Sequence, residues 1–319
     1  MRGARALTAA LILAVACGAA GCGQPGFGAP VQPAALPQVA PPQSQLRLGV
    51  YEYGDQSSYA AVTGFTASTG VRPNLVLQYT GWETGFDFTL AYDARAHHAE
   101  PLIQLQPSGI SLAAITAGHY DRYLRTFANE VRRFGGPVVL GFAHEMNGTW
   151  YGWGRTHVPA PEWVAAWRHV VQVFRQQHAS NATWLWTVSH TADVAILRSY
   201  WPGPSYVDWV GIDGYYRAPS ASYGSVFGGA VDAVRQVTRK PILVAETAVA
   251  DSVNRQPQDI LQLFRGVKRQ HLLGLVWFDR DQLGGSRDQP AGTAAANWRL
   301  EGDQPAVRAF NTAVRDYLW

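Results

Sequence analysis

Residues 46–319 predict a single-domain α/β fold, a (β/α)8 TIM barrel, on three observations. Eight short apolar segments recur along this stretch, amphipathic helical patterns fill the intervals, and the total is close to the roughly 250 residues such a barrel takes. The apolar segments do not alternate with polar residues, so both of their faces are buried, as in a parallel sheet covered by helices. An open doubly wound sheet has the same element order. It lacks support here, because no Gly-x-Gly-x-x-Gly joins a strand to a helix, and no repeat of 20 to 50 residues points to a solenoid.

In chain order the expected strands are Leu48–Tyr51, Asn74–Tyr79, Pro101–Gln106, Val138–Ala143, Trp184–Val188, Trp209–Ile212, Ile242–Ala245 and Leu273–Phe278. Between them, Tyr120, Leu124, Phe127, Val131 and Phe134 share one helical face, as do Trp163, Trp167, Val170, Val171 and Phe174. Pro257 opens a helix carrying Ile260, Phe264 and Val267, and Ala306, Phe310, Val314 and Leu318 form a closing one.

Two of the strands end in an acid. The run Val138-Val139-Leu140 leads into Gly-Phe-Ala-His144-Glu145-Met-Asn-Gly-Thr-Trp150, and Pro-Ile-Leu-Val-Ala-Glu246-Thr repeats the arrangement on strand seven. In parallel α/β folds the carboxyl ends of strands are where ligands bind. Cleavage of a glycosidic bond needs a proton donor for the leaving oxygen and a second carboxylate at the anomeric carbon, and Glu145 with Glu246 supplies both. The donor needs a raised pKa and the other acid must stay ionised. The chain's 12 Trp and 14 Tyr add ring faces on which sugars pack, although many must be core.

The stretch His144-Glu145-Met146-Asn147-Gly148-Thr149-Trp150-Tyr151-Gly152-Trp153 resembles the acid/base signature of glycoside hydrolase family 26. That family contains β-mannanases, with some mixed-linkage β-glucanases and β-1,3-xylanases. The resemblance covers residues 46–319. It implies a retaining barrel in which Glu145 is the acid/base and Glu246 the nucleophile, with carboxyl groups about 5 to 5.5 Å apart. It further implies that His144 contacts the sugar beside the cleaved bond and that Trp150 is a sugar platform. Tyr215 would hydrogen-bond the nucleophile, and Trp277 would line the subsite of the attacked sugar. The chain departs from the family at two sugar-recognition positions. Gln104 and Gln106 stand where many mannanases have a histidine, and Gly141 or Phe142 replaces an arginine. The expected function is therefore an endo-β-glycanase, with β-1,4-mannan the first substrate and mixed-linkage β-1,3-1,4-glucan the second. It needs no cofactor. The alternatives are a glycan-binding surface lipoprotein without turnover, or a hydrolase of the cell's own envelope polysaccharide.

Other groups carry weaker signals. Trp82 after strand two is a platform or core, and His190 ending strand five is a sugar contact or a structural partner. Asp213 supports Tyr215 or binds substrate. His97-His98 reads as solvent-facing in a helix, and Asp279-Arg280-Asp281 as a solvated charge run or a cleft rim. A zinc-peptidase reading of His144-Glu145 fails because Gly148 occupies the second histidine's place, and Ser189 lacks a Gly-x-Ser-x-Gly elbow. A metal site is not expected.

Residues 1–21 read as an export signal, with two arginines before an apolar run too short to span a bilayer. Ala19-Ala20-Gly21-Cys22 resembles a bacterial lipobox lacking its usual leucine, which makes Cys22 the lipidation candidate; Cys17, or a plain secreted protein, is the alternative. Residues 22–45, rich in Pro, Gln, Ala and Gly, read as a tether. No cysteine follows Cys22, which excludes a disulfide or thiolate metal site from the barrel. The scattered basic residues and net charge of +3 give no footprint for nucleic acid. The expectation is an exported monomer, at the cell surface or secreted, that meets a membrane only through a lipid anchor.

Overall fold

The computed structural model describes residues 46–52, 59–190, 193–250, 255–282 and 296–318. The export signal, Cys22 and the tether lie outside them. Eight parallel strands close into a barrel in sequence order: β1 (Arg47–Glu52), β2 (Leu75–Gly81), β3 (Glu100–Gln106), β4 (Val138–Phe142), β5 (Ala182–Ser189), β6 (Trp209–Asp213), β7 (Ile242–Thr247) and β8 (Gly274–Asp279). Each expected strand is present to within one or two residues. A two-stranded ribbon, β9 (Asp281–Gln282) with β10 (Ala296–Asn297), follows β8.

The helices between strands are α1 (Ala60–Thr69), α2 (Phe88–Ala96), α3 (Leu112–Thr116), α4 (Asp121–Phe134), α5 (Ala160–Gln176), α6 (Val194–Ser199), α7 (Gly229–Arg235) and α8 (Gln256–Arg269), with α9 (Gln304–Ala313) closing the chain. Their ends follow local chemistry. Asp87 and Asp303 cap α2 and α9 by accepting from Leu90 and Ala306 amides at 3.0 Å. Gly135 ends α4 at φ 71°, a conformation that favours glycine. The apolar stripes foreseen for α4, α5 and α8 are the buried faces. His97 and His98 are exposed as expected but lie just beyond α2, with His98 at φ 62° and His97 stacked on Tyr59 at 4.5 Å. Among the described residues no helix is long and apolar enough to cross a membrane.

Small residues let the barrel interior fill. A Cβ on Gly141 would stand 1.9 Å from Gln104 Oε1, and one on Gly211 2.5 Å from Thr187 Oγ1. Gln104 occupies this space, fully buried, and donates to Thr187 Oγ1 at 3.0 Å. Near the carboxyl ends of the strands the registers shift, between Ile212 and Asp213 on β6 and between Val244 and Thr247 across β7 and β8. The shift sets Asp213 directly beside Glu246. Such irregularities re-aim side chains where a sheet meets its site.

Candidate active site

Glu145 sits just past β4 on a strained turn. Ala143 and Glu145 both adopt positive φ, 46° and 54°, a region that costs a non-glycine residue about 1–3 kcal/mol. Backbone hydrogen bonds hold the turn from both sides, from the Ala143 amide to Leu105 O (3.0 Å) and from the Glu145 amide to Thr187 O (2.9 Å). Trp163 and Trp153 donate their indole N–H groups to the Ala143 and His144 carbonyls at 3.2 and 2.7 Å. Asn147 exchanges two hydrogen bonds with the backbone of Ser189 at the end of β5, at 2.9 and 3.1 Å. The His-Glu-Met-Asn motif is thus locked to its neighbours by side chains that come from within it, from the loop after it and from the following helix.

Trp150 donates its indole N–H to Glu145 Oε2 at 2.9 Å. Its ring lies over Gly148, where a Cβ would come within 2.6 Å of it. The expected sugar platform is therefore also a partner of the acid. Burial, followed by the charge of Glu246, pushes the Glu145 carboxyl up to about 8, against the opposing pull of Trp150 and Arg217. At neutral pH Glu145 is an acid with a proton to give. His144 is buried, its Nε2 3.1 Å from the Tyr151 hydroxyl, and Tyr151 stacks on Trp153 at 4.4 Å. Burial drops the His144 imidazole to about 3, so it is neutral. Its Nδ1 meets no hydrogen-bond partner among the described residues.

Glu246 is gripped from two strands. Tyr215, following β6, donates to Oε2 at 2.7 Å, and Tyr79, from β2 across the barrel, makes a short hydrogen bond to Oε1. Burial raises the Glu246 carboxyl above its ordinary value, and the hydrogen bonds from Tyr79, Tyr215 and Asp213 offset only part of that rise. Asp213 is 1% exposed, and among the described residues no donor reaches either of its oxygens. Burial, followed by the charges of Glu246 and Glu145 facing it, raises Asp213 well above the usual carboxylate range. It stays protonated and turns its proton toward Glu246. Of these three neighbouring acids, Glu246 has two tyrosine donors, Glu145 one indole donor and Asp213 none among the described residues, so Glu246 is the best placed to carry charge.

The remaining expected residues are distributed more widely. Trp277 is fully buried and its ring meets Phe310 of α9 at 5.4 Å, so it faces the helix layer and lines no subsite. Strand alternation explains the correction: Phe278, one residue on, takes the inward place and stacks on Tyr51 at 4.5 Å. Trp82 is half-buried among Tyr120, Tyr123 and Phe142, which is a packing role. His190 is exposed at the end of β5, with its amide bonded to Asp213 O at 2.8 Å. The desolvation its neighbours impose, with Arg217, lowers its imidazole against the opposing backbone bond to Asp213. Gln106 is half-buried at the end of β3. Asp279 is buried, contrary to a solvated run.

Four residues of the site are given no site role by the sequence reading: Tyr79, Arg217, Phe278 and Trp298. Arg217 lies over the Tyr215 ring at 5.1 Å and the Trp298 ring at 4.9 Å, and Trp298 packs on Tyr215 at 5.1 Å. Tyr79 was legible as the last apolar residue of its strand. Trp298 follows a ribbon with no periodic signal. Among the described residues no group of three or more His, Cys, Asp or Glu side chains could hold a metal.

A closed barrel that brings a protonated glutamate and a tyrosine-held carboxylate to one rim defines a site of the paired-carboxylate glycoside hydrolase kind. The model of glycosyl hydrolase family 26 matches residues 119–259, a span that includes both glutamates. Endoglucanase H of Acetivibrio thermocellus is 26% identical over 288 residues, 85% of this chain and 30% of its own length. A β-1,3-xylanase of a Vibrio species is 27% identical over 50% of this chain and 36% of its own, and a mannan endo-1,4-β-mannosidase of Bacillus subtilis 27% identical over 39% and 34%. This chain thus spans about a third of the length of these relatives. Among solved structures, the catalytic domain of an endo-β-1,4-mannanase from Bacillus sp. JAMB-750 superposes with a TM-score of 0.66 at 14% identity, covering 86% of both chains. A β-mannanase from a symbiotic protist of the termite Reticulitermes speratus, solved with a gluco-manno-oligosaccharide, gives 0.62 at 15% identity, covering 86% of this chain and 88% of that one. Over residues 119–259, therefore, the chain is similar to glycosyl hydrolase family 26.

Proposed function

We propose that the protein is a retaining endo-β-glycanase, acting on β-1,4-mannan first and mixed-linkage β-1,3-1,4-glucan second. The observation that carries this reading is the division of labour between Glu145 and Glu246. Burial and a neighbouring charge keep the first protonated, while two tyrosines hold the second as an anion. In the first step Glu246 attacks the anomeric carbon as the glycosidic C–O bond breaks, and Glu145 protonates the departing oxygen. The leaving sugar carries that proton away. In the second step Glu145, now a carboxylate, takes a proton from water, whose oxygen displaces Glu246 and restores both groups. This mechanism calls for carboxyl groups about 5 to 5.5 Å apart.

The relatives support both substrate classes. Mannan endo-1,4-β-mannosidases recur among them, which supports mannan, and an endoglucanase matches over 85% of this chain, which supports the glucan as the second substrate. The test is to incubate the protein with mannan, lichenan, β-1,3-xylan and cellulose and to measure new reducing ends. Release from mannan above the others supports the reading. No release from any of them, or full activity in Glu246→Ala, sinks it, and binding without turnover favours a glycan-binding protein. Lipidation at Cys22 would hold the barrel at the cell surface; loss of detergent-phase partitioning in Cys22→Ala is the corresponding measurement.

A further inference from the structure

A second pair of acids lies at the ends of β1 and β8, outside the proposed chemistry. Glu52 and Asp279 are register partners on adjacent parallel strands, so their side chains leave the sheet on the same side. That side is the outer one. Tyr51 and Phe278, one residue earlier on each strand, stack inside, while Trp277, two before Asp279, packs outward on α9.

Asp279 is 1% exposed. Its Oδ1 accepts from the Trp277 indole N–H at 3.1 Å and from the Leu300 amide at 2.8 Å. Its Oδ2 and Glu52 Oε1 are both buried, and among the described residues no donor reaches either. Two buried carboxyls in contact cannot both ionise, and a proton between them satisfies both vacant oxygens. Burial and then the facing Asp279 push Glu52 up to about 10, and Asp279 is raised by burial but held down by its bonds to Glu52, Leu300 and Trp277. Glu52 is thus the donor and Asp279 the acceptor. The other charged groups facing the pair are Arg299 and Glu301, both from the segment that Asp279 holds.

That segment leads to the active site. The Trp277 N–H is shared with the Trp298 carbonyl at 3.2 Å, so residues 298–300 are tied to β8 at two points. Trp298 is fully buried and packs on Tyr215, the donor to Glu246 Oε2. We propose that Glu52 and Asp279 are positioning residues, an acid–carboxylate pair whose shared proton pins the Trp298 segment against Tyr215 and so orients Glu246. The link to catalysis rests on Glu246 being the nucleophile, whereas the latch itself does not.

Trypsin reads the latch directly, because the Arg299–Leu300 bond it cuts contains the amide that Asp279 holds. Wild-type protein is expected to resist cleavage there at pH 7.5 and to be cut at least tenfold faster at pH 10.5, where Glu52 ionises. Glu52→Gln, which keeps a donor at every pH, stays resistant at both, and Glu52→Leu is cut at both. On the glycan substrate, Glu52→Leu loses at least tenfold in kcat with little change in KM, and Glu52→Gln restores it. Cleavage independent of pH in the wild type, or a Gln variant cut like the Leu variant, overturns the shared proton. Protection that depends on added calcium or EDTA also overturns it, in favour of a bound cation. A latch lost in Glu52→Leu, cut at both pH values, with kcat unchanged overturns the link to Tyr215. An intact latch in a protein that cuts no glycan leaves the latch standing and removes the proposed function.

Discussion

Trp150→Phe separates two roles that one side chain combines. It preserves an aromatic face over Gly148 and deletes the N–H that Glu145 Oε2 accepts at 2.9 Å. A hydrogen bond to a charged group is worth about 1.5–3 kcal/mol, and about 1.4 kcal/mol is a tenfold change in proton affinity. Part of that bond survives when the acid is protonated, because a neutral carboxyl oxygen also accepts. The net change is therefore about one pH unit. The sign follows from what the bond favours. Trp150 stabilises the ionised form of Glu145, whose carboxyl already stands at about 8. Its removal raises that value, the general acid keeps its proton to higher pH, and the alkaline limb of kcat/KM moves up. The assay is reducing-end release from mannan between pH 4 and 10, fitted to a bell. A platform role alone lowers kcat/KM by the same factor at every pH. An alkaline limb that stays in place or moves to lower pH refutes the assignment of Glu145 as the acid restrained by Trp150.

Tyr79→Phe and Tyr215→Phe each remove a donor that favours ionised Glu246, so both should lower kcat and move the acid limb to higher pH. An acid limb unchanged in both would count against Glu246 as the base-form carboxylate. Stability should also depend on Glu145 in an unusual direction. Its folded pKa lies above the unfolded value of 4.5, so the native state binds the proton more tightly and loses stability as pH rises from 4.5 to about 8. Glu145→Gln should erase that decline, gaining on the order of 2–4 kcal/mol relative to wild type between pH 5 and pH 9 in urea unfolding. A parallel decline in the variant would contradict it. Gly141→Ala should lower stability by about 1–3 kcal/mol, through overpacking against Gln104, and Gly141→Ala with Gln104→Ala should recover part of the loss by thermal melting.

The strands were legible because each is a nearly unbroken apolar run, and burial on both faces of a closed parallel sheet demands that composition. Glu145 and Glu246 were legible for a related reason: an acid at the end of such a run cannot remain in the sheet and must open onto the rim. What escaped was governed by alternation or distance. Trp277 and Phe278 are adjacent aromatics, and sequence alone does not say which of two neighbours points inward; the β1–β8 register decides it, placing Phe278 against Tyr51. Tyr79 reaches Glu246 from 167 residues away, through barrel closure that no local pattern records. Asp279 read as solvated beside Arg280 and Asp281, yet the return of residues 298–300 covers it.

The tryptophan content has an explanation beyond sugar stacking. The general acid proposed here, Glu145, must stand at a fixed height above the barrel, and the backbone places it with two left-handed residues, Ala143 and Glu145, flanking His144. At about 1–3 kcal/mol each, such residues relax to ordinary conformations unless neighbouring groups over-determine them. Trp163 and Trp153 hold the carbonyls of Ala143 and His144, Trp150 holds the carboxyl, and Asn147 fixes the turn to β5. Indoles suit this task because each offers one N–H and no acceptor, so it binds a buried carbonyl without creating a new unsatisfied group. Three of the chain's 12 tryptophans thus serve the geometry of a single glutamate. Replacing Trp153 with Phe would leave the His144 carbonyl buried without the donor that Trp153 supplies. The resulting loss should fall on kcat more than on KM, because the acid, not the sugar-binding surface, would be displaced.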